Sequence, residues 1–210
     1  LAGNEPGEFY HTWKNKQAKH PAFLDDYAFL ADALLHLHEI TGDVSWLMKA
    51  TQVTEYAIQY FSEQDTGFVL YTREKQADII VRKKEVYDGA LPSGNAVMAT
   101  ILYRLGILLD RSAWKERSDR MINALGQTIV RYPTSFGYWA AGLLERTAGT
   151  VELAIVGKEP SKMHQDLLRF FIPHRVLMVS SGSDAEFPLL AGKQVSGPTE
   201  IFVCKDFACL

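Results

Sequence analysis

Apolar residues in the first part of the chain recur at steps of three and four. From Asp25 to Glu39 the positions Ala28, Ala31, Leu34, Leu35 and Leu37 keep that spacing, and "TGD" (Thr41 to Asp43) breaks it before a second run with Trp46, Ala50, Val53, Ala57 and Phe61. Spacing of this kind gathers apolar side chains on one stripe of a helix, so the pattern predicts an antiparallel helical hairpin. The period then changes. "TGFVLYTRE" and "ADIIVRKKE" are short, rich in β-branched and aromatic residues and separated by "KQ", which predicts a β-ribbon near 67–83. Helical spacing resumes after "DGALPSGN", from Ala96 to Leu109. It returns from Trp114 to Val130 after "DRSA" and over a shorter helix from about Ser135 to Glu145.

The two hairpins match each other. A shift of sixty-eight residues lays Ala28 on Ala96, Ala31 on Ala99, Leu34 on Leu102, Leu37 on Leu105, Trp46 on Trp114 and Val53 on Met121. Equal spacing of small and large apolar residues implies one structural unit used twice, each unable to bury its stripe alone. A ring of inner and outer helices satisfies both units, and so does an open superhelix.

Beyond "TAGT" the pattern changes again. "VELAIVG" (Val151 to Gly157) and "RVLMVSS" are buried-strand runs, and "PSKMHQDLLRFF" between them opens with Pro and Ser as a helix start does. Strand, helix, strand predicts a right-handed parallel crossover, followed by a last strand, "TEIFVC". The expected organisation is a mainly α chain. A helical-hairpin region covers 1–148 and a small α/β segment covers 149–210, and that segment must pack on the helices or on a part of the protein outside this chain.

Composition narrows the function. With 210 residues, 47% of them hydrophobic, the chain has enough apolar material for a sizeable core, and 22 Lys and Arg against 25 Asp and Glu leave no basic field for a nucleic acid. No run approaches the ~20 apolar residues of a membrane span, and "LAGNEPGEFYHTW" lacks the parts of a signal peptide. A soluble, cytoplasmic protein is expected. The chain begins with Leu1, so it is expected to be part of a longer polypeptide. Its two cysteines, Cys204 and Cys209, fit a reducing compartment, and a bond between them needs a turn at Lys205 and Asp206. Of a structural and a redox pair, the structural one is expected.

The candidate chemistry sits at helix starts. Asp25 and Asp26 stand where an N-cap and a first-turn acid belong, and adjacent residues there point in different directions, so one can cap while the other faces a pocket as acid, base or hydroxyl acceptor. In "VYDGALPSGN", Gly89, Pro92 and Gly94 dictate a tight loop, Ser93 or Asn95 can cap the next helix, and Asp88 and Glu85 bring carboxylates to the equivalent end of the repeated unit. "YHTWKNKQAKHPAFLDD" adds His11, Trp13, Lys14, Lys19 and His20, a mix of stacking and hydrogen-bonding groups that suits sugars and also suits an exposed loop. His36 and His38 lie about 200° apart around a helix and cannot share a metal. No HExxH, CxxC, GxGxxG or GxSxG motif occurs, so no metal and no cofactor are expected.

Three stretches, "TWKNKQAKHPAFLDDYAFL", "VRKKEVYDGALPSGNAV" and "VCKDFAC", resemble the carboxy-terminal half of the YyaL-like, spermatogenesis-associated family of thioredoxin-domain-containing proteins, and the match runs essentially end to end. The family places an amino-terminal thioredoxin-like domain before a helical region similar to the (α/α)6 toroids of N-acylglucosamine 2-epimerases and six-hairpin glycosidases. The resemblance implies that this chain holds about half of such a toroid plus the α/β piece, without the thioredoxin-like domain. It implies a sugar or polyol pocket with Asp25, Asp26, Tyr27, Asp88, Ser93 and Asn95 at its mouth; Asp25, Asp26 and Asp88 are the candidate catalytic carboxylates, and Tyr27, Ser93 and Asn95, with Trp13 and His20 of the stretch ahead of the acids, the candidate binding residues. The chemistry, where there is any, would be acid–base, of the isomerase, epimerase or glycosidase kind. The alternative is a non-catalytic helical module that supports a thioredoxin-like domain, its acids serving only as caps.

Overall fold

A computed structural model describes residues 7–63, 66–74, 76, 79–206 and 208–209. It opens on a hairpin, β1 (Tyr10–Lys14) and β2 (Gln17–Pro21), paired antiparallel with Lys14 opposite Gln17. The two residues between the strands, Asn15 and Lys16, have φ of 52° and 59°, the backbone of a tight hairpin turn whose twist matches the strands.

Two helical hairpins follow, α1 (Leu24–Thr41) with α2 (Val44–Phe61), and α3 (Gly94–Leu108) with α4 (Ser112–Arg131), then the shorter α5 (Gly137–Ala148). The "TGD" break works through Gly42, whose left-handed backbone at φ 72° ends α1 while its N–H bonds the His38 carbonyl. Asp43 then caps α2 by accepting from the Ser45 N–H at 2.8 Å. Helix α1 packs on α2 and α3, and α3 packs on α4 and α5.

The repeat is visible in burial. Ala28, Ala31, Ala96 and Ala99 are essentially fully buried, as are Leu102, Met121 and Val53. The equivalence lapses at one pair: Leu105 is buried, whereas Leu37 is 39% exposed, because among the described residues no element covers that side of α1.

The ribbon expected near 67–83 does not form among the described residues of that stretch; Lys75, Ala77 and Asp78 of the expected strands lie outside them. The apolar residues there share no face. Phe68 and Val69 turn into the core, with Val69 in an isolated bridge to Ser62, while Ile80 and Val81 are 99% and 71% exposed. Asn95 holds the segment. Fully buried, it donates from Nδ2 to the Val69 and Glu85 carbonyls and accepts the Val69 N–H, each at 2.8 Å.

The α/β segment contains β3 (Val151–Val156), α6 (Pro160–Leu167), β4 (Arg175–Ser180), β5 (Glu200–Lys205) and β6 (Ala208–Cys209), with sheet order β4-β3-β5-β6. Strands β3 and β4 are parallel, as the crossover predicts, and β5 runs antiparallel to β3. Alternation along the strands divides the work. Ala154, Val156, Val176 and Met178 share one core with α1, α2 and α3, while Leu153, Ile155 and Leu177 meet Met163 and Leu167 of α6 on the other face. The segment therefore packs on the helices. Asp206, with φ 50°, supplies the turn that sets Cys204 opposite Cys209, and the two sulfurs are bonded.

Polar contacts clamp the last turns of α1 to this segment. The His38 ring lies 3.1 Å from both the Asp43 and Leu177 carbonyls, His164 reaches the Glu39 carbonyl at 2.8 Å, and Arg175 Nε donates to Glu39 Oε1 at 2.6 Å. Burial alone would raise the Glu39 carboxyl, but His36 and Arg175 outweigh it and bring it down to about 2. A carboxylate whose folded value is depressed adds stability at neutral pH and gives it up as pH falls from the unfolded value toward 2. We expect Glu39→Gln to cost about 1–3 kcal/mol at pH 7 and almost nothing near pH 2, read by urea unfolding across that range.

Candidate functional site

The starts of α1 and α3 lie side by side, and the contact is set by Gly94. A Cβ there would sit 2.4 Å from Asp25 Oδ1 and 3.0 Å from Leu24 Cγ, so the absence of a side chain is what lets the Asp25 carboxylate lie against the first turn of α3. The Gly94 backbone amide faces that carboxylate. Burial, followed by the charge of Glu85, raises the Asp25 pKa above the ordinary carboxylate value, and the Gly94 amide opposes the rise without cancelling it.

Asp26 does different work. Its Oδ2 accepts the Phe23 N–H at 2.8 Å, which satisfies a backbone donor ahead of α1, and His11 Nδ1 lies 2.8 Å from the same oxygen. Phe23, the residue at the cap position, has no oxygen to offer, so the third-position acid reaches back in its place.

Around these carboxylates lies an aromatic floor. Phe23 stacks on Tyr71 with ring centroids 5.0 Å apart and planes 12° from parallel, and the His11 ring meets Phe23 edge-on at 5.0 Å. Burial, then the charges of Asp25, Glu85 and Asp26, raise the Tyr71 phenol pKa. Tyr71 is held by its backbone: its carbonyl accepts from Leu24 and its N–H donates to Lys83.

The other expected site residues bond backbone, are buried or stand exposed. Both Asp88 oxygens are engaged, Oδ1 by the Ser93 N–H at 2.9 Å and Oδ2 by the Tyr138 N–H at 2.8 Å, so Asp88 ties the loop before α3 to the start of α5. Ser93 caps α3 through the Ala96 N–H at 3.3 Å. Asn95 and Tyr27 are buried; the Tyr27 hydroxyl accepts from Phe9 N–H at 3.1 Å and its ring stacks on Tyr56. Burial first, then the Tyr56 hydroxyl, pushes the Tyr27 phenol well above its ordinary value. Trp13 and His20 stand exposed on the β1–β2 hairpin, His20 with φ 60°.

Asp25, Asp26 and Glu85 thus come together with His11, Phe23 and Tyr71. Tyr71 and Phe23 were not among the expected binding residues. Tyr71 lies in the apolar, aromatic stretch "TGFVLYTRE", whose composition reads as a strand rather than as part of a site. Among the described residues no group of three or more His, Cys, Asp or Glu is arranged to hold a metal ion, and no helix is long and apolar enough to cross a membrane.

No protein-family model matches the chain. It is 27% identical over 198 residues to spermatogenesis-associated protein 20 of Rattus norvegicus, a match covering 89% of this chain and 25% of that protein. The Mus musculus protein of the same name is 26% identical with the same coverage, and an uncharacterized protein of Caenorhabditis elegans is 25% identical over 195 residues, 90% of this chain and 26% of that protein. The chain spans about a quarter of the length of the curated relatives it matches. These similarities support the spermatogenesis-associated family and align the chain with one region of those larger proteins.

The two neighbouring aspartates should separate on substitution. An Asp with a raised folded pKa costs stability once pH exceeds its unfolded value, so Asp25→Asn should raise stability at pH 7. Asp26→Ala should lower it by about 1 kcal/mol through the lost backbone acceptor. Chemical unfolding reads both, and carboxyl carbon NMR should show Asp25 titrating above the ordinary carboxylate value, with Glu85→Gln bringing it down.

Proposed function

We propose that this chain is the carbohydrate-directed part of a larger spermatogenesis-associated protein, with the junction of α1 and α3 as the mouth of its pocket. The observation that carries this reading is the Asp25 carboxyl, raised by burial and by Glu85, beside the stacked Phe23 and Tyr71 rings. Sugars present C–H faces to aromatic rings and hydroxyls to carboxylates, and this mouth offers both. In this reading α1, α3 and α5 are inner helices and α2 and α4 outer ones of a helical toroid. A further part of the same polypeptide completes the ring, and a thioredoxin-like domain precedes it.

Asp25 is the proton donor of the mouth. A carboxyl held protonated closer to neutral pH can protonate a leaving or ring oxygen, and the more exposed Glu85 serves as the accompanying base. Asp26 positions α1 and His11, and Asp88 positions the α3 loop against α5. A second reading is favoured by Leu37, Ile40, Val44 and Met48, which are 36–61% exposed at the α1–α2 bend. That apolar strip suits a non-catalytic module that seats the thioredoxin-like domain.

The test is a glycan screen with the full-length protein, followed by variants. We expect a sugar or polyol ligand whose binding or turnover falls at least tenfold in Asp25→Asn and changes little in Asp26→Asn, since Asn still accepts the Phe23 N–H. A screen without any sugar ligand, or an Asp25→Asn protein that behaves as wild type, would sink the carbohydrate reading in favour of the second.

A further inference from the structure

At the other end of α1 a cavity of about 450 Å³ opens between the last turns of that helix, α3 and the segment that links α6 to β4. Asp25 and His36 are eleven residues apart on α1, a rise of about 16 Å, so this cavity is separate from the acidic mouth. Its lining is rich in cationic and imidazole groups. Arg104, Arg169, Arg175, His36 and His174 line it with one carboxylate, Glu39, while Glu145, Asp166 and Asp32 lie 3.5, 3.7 and 3.7 Å from Arg104, Arg169 and His36.

The three arginines are not equivalent. Arg175 is spent, with Nε on Glu39 at 2.6 Å and Nη1 on the Phe170 carbonyl at 3.2 Å, and Arg169 is an exposed side chain 3.7 Å from Asp166. Arg104 is held but not satisfied. Its Nε is buried with no hydrogen-bond partner among the described residues, and the nearest carboxylate oxygen, Glu145 Oε1, lies at 3.5 Å. The buried Nε is turned to Glu145, so what Arg104 offers the cavity is the rest of its guanidinium, on a side chain that is 24% exposed. At the rim, Phe170 and Phe171 are 65% and 92% exposed, two aromatic rings beside the cavity with no burial to explain them.

We propose that this cavity is a binding site for a small organic oxyanion, a phosphate ester or carboxylate attached to a planar body. The anion bonds Arg104, whose planar fork matches two oxygens at once. Its planar body lies against Phe171 and Phe170. His36 and His174 add hydrogen-bond donors on either side of the anion. The site is independent of any sugar at the acidic mouth.

The probes are adenosine 5′-monophosphate, inorganic phosphate, benzoate and uncharged adenosine, titrated into the full-length protein by calorimetry and by NMR of the His36 and His174 ring protons. We expect the monophosphate to bind at least tenfold tighter than adenosine, to perturb both histidines and to weaken with added salt. Arg104→Lys keeps the charge facing Glu145 but not the fork, and should cost at least tenfold in affinity. Phe171→Ala, at an exposed position that leaves the fold alone, should weaken the monophosphate and benzoate several-fold without touching inorganic phosphate. No response to any anion at 10 mM, or equal affinity of the wild-type and Arg104→Lys proteins, would overturn the site. Equal affinity for inorganic phosphate and the monophosphate would overturn the part given to the aromatic rings.

Discussion

The burial of α1 is the constraint on which the rest depends. Ala28 and Ala31 have no exposed surface, which lets α3 approach closely, while the next turns of α1 meet β4 of the α/β segment. One helix thus belongs to both parts of the chain. Its first turn carries the acids of the mouth, and its last turns carry His38 and Glu39, which bond the Leu177 carbonyl, Arg175 and His164. A shift of α1 along its axis would break contacts at both ends, so the carboxylates at one end are positioned by a clamp at the other.

The same helix separates two kinds of charge. At its start Asp25, Asp26 and Glu85 come together, and burial, with the neighbouring charges adding to it, holds the Asp25 proton more tightly than usual. Beyond its middle, His36 lies between Asp32 and Glu39, and Arg104 and Arg175 stand opposite. The side chain of Glu39 raises the His36 pKa, although partial burial opposes it. One end of α1 thus gathers carboxylates beside aromatic rings, and the other interleaves arginines and a histidine with the carboxylates that pair them.

Much of the helical architecture was legible in the sequence, because apolar period and break residues state it directly. The sixty-eight-residue repeat predicted paired burial that holds for Ala28 with Ala96 and for Val53 with Met121. The β1–β2 hairpin was not legible: "YHTWK" and "QAKHP" alternate no apolar face, and its turn is made by Asn15 and Lys16 without a glycine. The ribbon was over-read for the opposite reason. Ile80 and Val81 look like strand residues but stand in solvent, so composition there does not report burial. Sequence placed polar residues at the starts of α1 and α3 but could not say which way they point. Tyr27, Asp88 and Asn95 turn inward to bond backbone, and only the three-dimensional neighbourhood of Gly94 shows Asp25 to be the carboxylate of the pair that lies against α3.

The central claim is that Asp25 is the chemically available carboxyl of this cluster, while Asp26 and Asp88 are tied up in structure. Carbodiimide coupling to an amine under native, mildly acidic conditions reads this directly, because the reagent activates protonated, reachable carboxyls. Peptide mass mapping should find Asp25 modified well ahead of Asp26 and Asp88. Modification of Asp26 or Asp88 as fast as Asp25 would contradict the account.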